Sequence, residues 1–146
     1  MNNLKITTIK KIKTMRTIKF RGKTDSGKWC FGYFLHDGQR GRFVITDGLL
    51  EINRVNPDTV GQYTGLKDKN GKEIYDGDIL AHNGEPIGYI VDGVRGYCFD
   101  VMYFSPKYEE SWSLYGVVVN DFHGDVEIIG NIHDPEWQRK LNLKDE

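Results

Sequence analysis

The sequence predicts an all-β protein: an SH3-like barrel preceded by an N-terminal β unit and followed by a short C-terminal helix. Three observations carry that reading. Glycine supplies 17 of 146 residues, well above the usual share of about 7% and without a collagen-like period, so the chain turns often. Short alternating apolar runs recur at the spacing of roughly 8–12 residues that small sandwiches and barrels show. Near the C-terminus, Asp134-Pro135-Glu136 has the order of a helix start: a capping acid, a proline at the first helical position, and a carboxylate facing the positive end of the dipole.

Taken in order, residues 1–14 set Leu4, Ile6, Ile9 and Ile12 among lysines and are rich in β-branched side chains, a poor helix. They read as a basic leader ahead of a natural start at Met15. From there Thr17, Lys19 and Arg21 alternate with Ile18 and Phe20, a half-buried strand. Trp29–Leu35 is apolar on both faces and is expected to be central. Arg42–Thr46 is a third strand, and Asp47-Gly48 turns the chain into Leu49–Val55. Pro57 cannot donate to a ladder and ends an N-terminal β unit spanning 15–57.

The region 58–146 opens on Val60–Leu80, read as a turn-rich connector into the barrel. Asn70-Gly71 predicts a type I′ turn, because both central residues take positive φ. Gly61, Gly65, Gly71, Gly77 and Asn70 are turn residues on this reading, and Asp78 accepts a nearby backbone N–H in a second tight turn with Asp76. Barrel strands are expected at Ile79–His82, Ile87–Val91, Tyr97–Phe104, Leu114–Val119 and Val126–Ile132. A helix over Glu136–Leu141 should then dock Trp137 and Leu141.

Composition narrows the function classes. Residues 1–24 carry eight basic groups and no acid, while the remainder has a net charge of −9, so no global nucleic-acid footprint exists. No run of 18 apolar residues is present, residues 1–14 lack the apolar core of a secretory signal, and the expected compartment is the cytoplasm. Cys30 and Cys98 lie in apolar runs and are expected as buried free thiols.

No chemical constellation survives its spacing. A calcium loop with Gly71 at its sixth position would need a ligand at Leu66 and a glutamate where Gly77 stands. His123, Asp125, His133 and Asp134 have no metal-site spacing, and neither a phosphate loop nor a G-x-S-x-G elbow occurs. Neither cysteine sits in the basic setting that activates a thiol. The expectation is therefore no catalytic residue, no metal and no cofactor. Basic Lys19, Arg21 and Lys23, with Tyr33, Tyr63, Tyr75, Tyr89 and Tyr103, leave single-stranded nucleic acid as an alternative partner through base stacking.

One ordered set of motifs is specific. It runs from Ile18-Lys19-Phe20-Arg21, through Thr59-Val60-Gly61-Gln62-Tyr63-Thr64-Gly65-Leu66-Lys67-Asp68 and Asn70-Gly71-Lys72-Glu73-Ile74-Tyr75, to Gly77-Asp78-Ile79 and Val126-Glu127-Ile128-Ile129-Gly130-Asn131-Ile132. This set resembles the YopX family, small proteins encoded by phages and prophages, over about Met15 to Leu141. Many relatives carry Ala-Trp or a similar pair after the arginine, where this chain has Gly22-Lys23. The resemblance implies an all-β, SH3-like fold and self-association, and it assigns no catalytic residue. The functional expectation is a non-enzymatic module that binds a second copy of itself or a phage or host protein. The alternative is a nucleic-acid-associated factor in phage replication or regulation. Arg21, Gln62, Tyr63 and Tyr75 are the candidate contact residues, because turn geometry does not require Gln62 or Tyr63.

Overall fold

The computed structural model describes residues 17–93, 98–105, 107 and 111–142. Among these residues eleven strands form two antiparallel sheets. The first contains β1 (Phe20–Lys23), β2 (Trp29–Asp37), β3 (Arg42–Thr46), β4 (Ile52–Arg54), β5 (Gly61–Lys67) and β6 (Glu73–Tyr75), in the order β4-β3-β2-β1-β5-β6. The second contains β7 (Asp78–His82), β8 (Glu85–Asp92), β9 (Phe99–Tyr103), β10 (Ser111–Ser113) and β11 (Glu127–Asn131), in the order β10-β9-β8-β7-β11. β10 and β11 are its two edges, so the sheet does not close into the expected barrel. A helix, α1 (Pro135–Asn142), follows.

Strand alternation explains where most apolar side chains go. On one face of the first sheet Cys30, Ile45 and Val55 are buried among Phe20, Phe34, Phe43 and Val60. The larger core lies over the second sheet, where Leu80, Ile90, Phe99, Val101 and Val126 pack with Ile74 of β6 and Val117 and Val118 of a helical segment. The stretch read as a connector is thus built into the structure: β5 pairs with β1, and the β5–β6 hairpin packs Leu66 and Ile74 onto the second core. Trp137 docks α1 by stacking on Phe104 at 5.8 Å.

Four local expectations are corrected. Leu114–Val119 was expected as a strand; Gly116–Asp121 is a π-helix that buries Val117 and Val118. Valine runs fill either kind of buried element, and length alone did not separate them. The Asn70-Gly71 turn is not type I′, since Asn70 does not take positive φ. Gly71 N–H donates to Asp68 O at 3.0 Å and Asp68 N–H to Lys72 O at 2.8 Å, the pattern of a type I turn whose bulge residue, Gly71, has φ +78°. Asn83-Gly84 is the type I′ pair instead, at φ +49° and +79°. Cys98 is exposed, unlike Cys30. The Asp134 carboxylate does not cap α1; it accepts from Asn131 N at 3.0 Å and Lys23 Nζ at 3.3 Å.

β2 is central as expected, but it serves two partners. Residues 29–32 pair with β1 and residues 33–37 with β3. The changeover falls at Gly32, whose φ is +149° and whose missing Cβ leaves room for the Thr46 carbonyl. Gly32→Ala should therefore lower stability by about 2 kcal/mol or more, measured by chemical denaturation. An unchanged midpoint would show that the bend does not depend on glycine.

Candidate functional site

β1 and the residue before it present three cations on one face, Lys19, Arg21 and Lys23, two residues apart. None is free. Lys19 Nζ lies 2.8 Å from Glu73 Oε2 on β6, Arg21 Nη2 lies 2.7 Å from Asp78 Oδ1 on β7, and Lys23 Nζ lies 3.3 Å from Asp134 Oδ1 before α1. Arg21 thus bridges the two sheets, Lys19 pairs within the first and Lys23 reaches the segment before α1, so the charge of this clasp is spent internally.

At the centre of the clasp the Arg21 and Asp78 side chains are 7% and 2% exposed. The guanidinium is sandwiched by Trp29 at 4.5 Å and Tyr75 at 4.8 Å, which replaces part of its hydration with ring electrons. The second Asp78 oxygen accepts from Tyr75 N–H at 2.8 Å. Burial pushes the Asp78 carboxyl up, and Arg21 and that N–H pull it back down. Tyr75 Oη donates to Glu73 Oε2 at 2.7 Å. Burial is the main cause, and the Glu73 bond the next, of a phenol held well above its ordinary range.

These contacts place the four expected contact residues. Arg21, Tyr63 and Tyr75 are buried together, with the two tyrosine rings 5.5 Å apart. Gln62 sits beside them, paired with Phe20 across β1–β5, and its carbonyl accepts from Asp76 N at 3.0 Å. Of the turn residues, Gly65, Gly71 and Gly77 take positive φ, Gly61 lies under the Asp76 carbonyl, and Asn70 stands at the tip of the Asp68–Lys72 loop. Asp78 proves to be more than a turn former, because it is the counter-ion of Arg21. Its neighbour Asp76 was not singled out as a titrating group. Its carboxyl is pushed up to about 6, by burial first and then by the charge of Asp92, against the pull of Arg21.

A second region was not visible in the sequence. Past Phe31, whose ring meets Tyr75 edge-on at 5.7 Å, the same sheet face loses its cover. Tyr33, Leu35, Leu49, Leu50 and Ile52 stand open there, with Leu49 88% and Leu50 94% exposed. The two leucines are held by design of the loop: Asp47 Oδ1 accepts from the N–H groups of Leu49, Leu50 and Glu51 at 2.8, 3.0 and 3.0 Å. Those bonds keep the Asp47 carboxyl below its usual range. The available signal was an adjacent leucine pair beside an Asp-Gly turn, which a reading by strand alternation absorbs into β4.

A cleft of ≈ 580 Å³ lies elsewhere, between the β7–β8 turn and the end of the π-helix. Among the described residues, Ile87, Phe122 and Pro86 line it with Glu85 and Asp121 but no lysine or arginine, a poor cradle for a phosphate. Among the described residues no group of three His, Cys, Asp or Glu side chains could hold a metal. No helix of these residues is long and apolar enough to cross a membrane.

Fold and site together define an all-β module of two antiparallel sheets joined by one buried ion pair, with one apolar sheet region open. The family described as YopX protein matches residues 4–136, and the chain belongs to that family. The match begins upstream of Met15, inside the segment read as a leader. Among solved structures, protein EF1440 from Enterococcus faecalis is similar, with 21% identity, coverage of 87% of this chain and 99% of that one, and a TM-score of 0.44. No curated protein sequence matches.

Two outcomes test the clasp. Arg21→Ala or Asp78→Ala should each cost about 3–5 kcal/mol, because the survivor is an uncompensated buried charge, whereas Arg21→Met with Asp78→Leu should cost much less. Equal losses in all three, by urea denaturation, would deny the pairing its role. Asp76 binds a proton more readily folded than unfolded. Its stabilisation is therefore full below about pH 4 and is lost as pH rises through about 6. Relative to wild type, Asp76→Asn should gain stability between pH 4 and pH 7.5, and a difference that does not change with pH would refute the assignment.

Proposed function

We propose that this chain is a non-enzymatic interaction module of phage or prophage origin, which assembles with itself or docks on a phage or host protein. The observation that carries the proposal is the open apolar region of β2–β4. Monomeric proteins rarely expose contiguous apolar patches beyond a few hundred Å² unless the patch binds something. Here the side chains are presented on rigid strands and on a loop fixed by Asp47, so little ordering entropy opposes docking. The charged and aromatic cluster around Arg21 acts as internal structure on this reading and supports the presenting surface. The finer reading of the second sheet as SH3-like rests on its strand order, a four-strand meander whose fifth strand returns beside the first after a helical turn. Folds of that kind host many functions, so the surface carries the proposal and the fold does not.

The test is sedimentation over a concentration series with capture from lysogenic cells. Wild type should self-associate or retain a specific partner, and Leu50→Asp with Ile52→Asp should abolish this by at least tenfold while the melting temperature stays unchanged. If both proteins sediment as monomers and retain the same proteins, the module reading fails.

A further inference from the structure

We infer that the free edge of β4 pairs with β4 of a second copy, antiparallel across a two-fold axis through Asn53, joining two six-stranded sheets into one. The inference rests on the self-assembly branch of the proposed function and names the surface that performs it.

Backbone register supplies the first argument. Among the described residues β4 is an outermost strand, paired only with β3. Val55 N–H donates to Phe43 O at 2.9 Å, and Asp47 N–H donates to Glu51 O at 3.3 Å. Hydrogen-bonding direction alternates along an antiparallel strand, so residues 51, 53 and 55 turn toward β3, while Ile52 and Arg54 turn their N–H and C=O groups outward. The outward groups lie symmetrically about Asn53. A second copy in antiparallel register, Ile52 opposite Arg54, would satisfy all of them with four hydrogen bonds.

The other sheet edges are blunted. β11 is bulged between Ile128 and Gly130, and its Ile128 and Asn131 N–H groups are taken by Asp68 and Asp134 carboxylates. β6 is buried at Ile74 and Tyr75, and the Tyr75 N–H is taken by Asp78. β10 starts at buried Ser111 and runs directly into the helical turn. Bulges and covered edges are how sheet proteins avoid unwanted pairing. Among the described residues β4 has neither device, and Ile52 on it is 73% exposed.

Charge selects a second copy as the occupant. The β3–β4 hairpin carries Asp47 and Glu51 at its tip and Arg42 and Arg54 at its other end. Among the described residues neither arginine has an ion-pair partner; Arg40 alone reaches Asp37. Antiparallel self-pairing sets each acidic end beside the other copy's basic end, twice, within roughly a Debye length of ~8 Å. On the open face Ile52 would then lie against the aliphatic stem of Arg54 from the partner copy, covering apolar surface without burying the guanidinium.

Cysteine cross-linking of the full chain tests the register, with Cys98→Ser in every protein to remove the exposed thiol. Asn53→Cys sits at a non-hydrogen-bonded position on the axis, where Cα atoms are about 4.5 Å apart and a disulfide can form. It should give a linked dimer on a non-reducing gel. Arg54→Cys alone should not link, because its own mate lies two positions away, yet it should link when mixed with Ile52→Cys. Light scattering on the Cys98→Ser protein separates the failures. An oligomer in which neither Asn53→Cys nor the mixed pair links overturns the β4 edge and leaves self-assembly standing. A strict monomer at high concentration overturns the edge and the self-assembly branch together.

Discussion

A guanidinium and a carboxylate 2.7 Å apart, both removed from water, fix how the two sheets meet. Such a pair contributes little net stability, since desolvating two charges costs about as much as their attraction returns. Its effect is on specification. Side chains alternate along a strand, so a slip of β7 by one residue would turn Asp78 away and strand Arg21 in a dry space between two aromatic rings. The adjoining Tyr75 N–H bond ties the same carboxylate to β6. One carboxylate therefore ties both β1 and β6 of the first sheet to β7, the first strand of the second. Lys19 and Lys23 extend the constraint to β6 and to the start of α1.

This arrangement divides one sheet face into two regimes. Over β1, β5 and β6 the second sheet covers the face, and charges and rings fill the interface. Over β2, β3 and β4 none of the described residues covers it, and Tyr33, Leu35 and Ile52 stand exposed there. The border runs through Phe31, which touches Tyr75 on one side and is about half exposed. A chain whose polar groups are turned inward and whose apolar groups are turned outward has reversed the usual distribution over a limited area. The reversal is sustained because the inward charges have counter-ions and the apolar side chains are held on strands and on the loop fixed by Asp47.

Much of the fold was legible from alternation and turn chemistry. The alternation around Phe20 and the short apolar runs at Arg42–Thr46, Ile79–His82 and Ile87–Val91 depend only on neighbouring residues, and strands lie there. The alternation of Lys19 and Arg21 with Phe20 was also read correctly, yet the cationic side was assigned to solvent. Its partners Glu73, Asp78 and Asp134 lie 54, 57 and 111 residues away in sequence, beyond any local pattern. Asn-Gly marked turns at both Asn70 and Asn83, but which of them is type I′ depends on loop length. The Asp68–Lys72 loop has three central residues and places only Gly71 at positive φ, whereas the loop at Asn83 has two. The Leu114–Val119 run was illegible because a fully buried segment has no polar period to distinguish helix from strand. Closure of the barrel was not readable either, since strand order alone leaves open whether β10 and β11 meet.

The loop at Asp47 shows why the open surface reads as a feature of the molecule and not as slack in its packing. Left to itself, a loop bearing two adjacent leucines would gain by folding them against the nearest apolar surface, worth roughly 1.5–3 kcal/mol per side chain. Tyr33 is close by, packed under Gly48, so such a surface is within reach. The three N–H bonds to Asp47 Oδ1 hold the backbone in a turn that leaves Leu49 and Leu50 almost fully exposed. Asp47 itself is exposed and gains nothing from burial. A carboxylate that keeps two leucines in water stabilises a conformation with unused apolar area, and that area is recovered only when another surface closes over it.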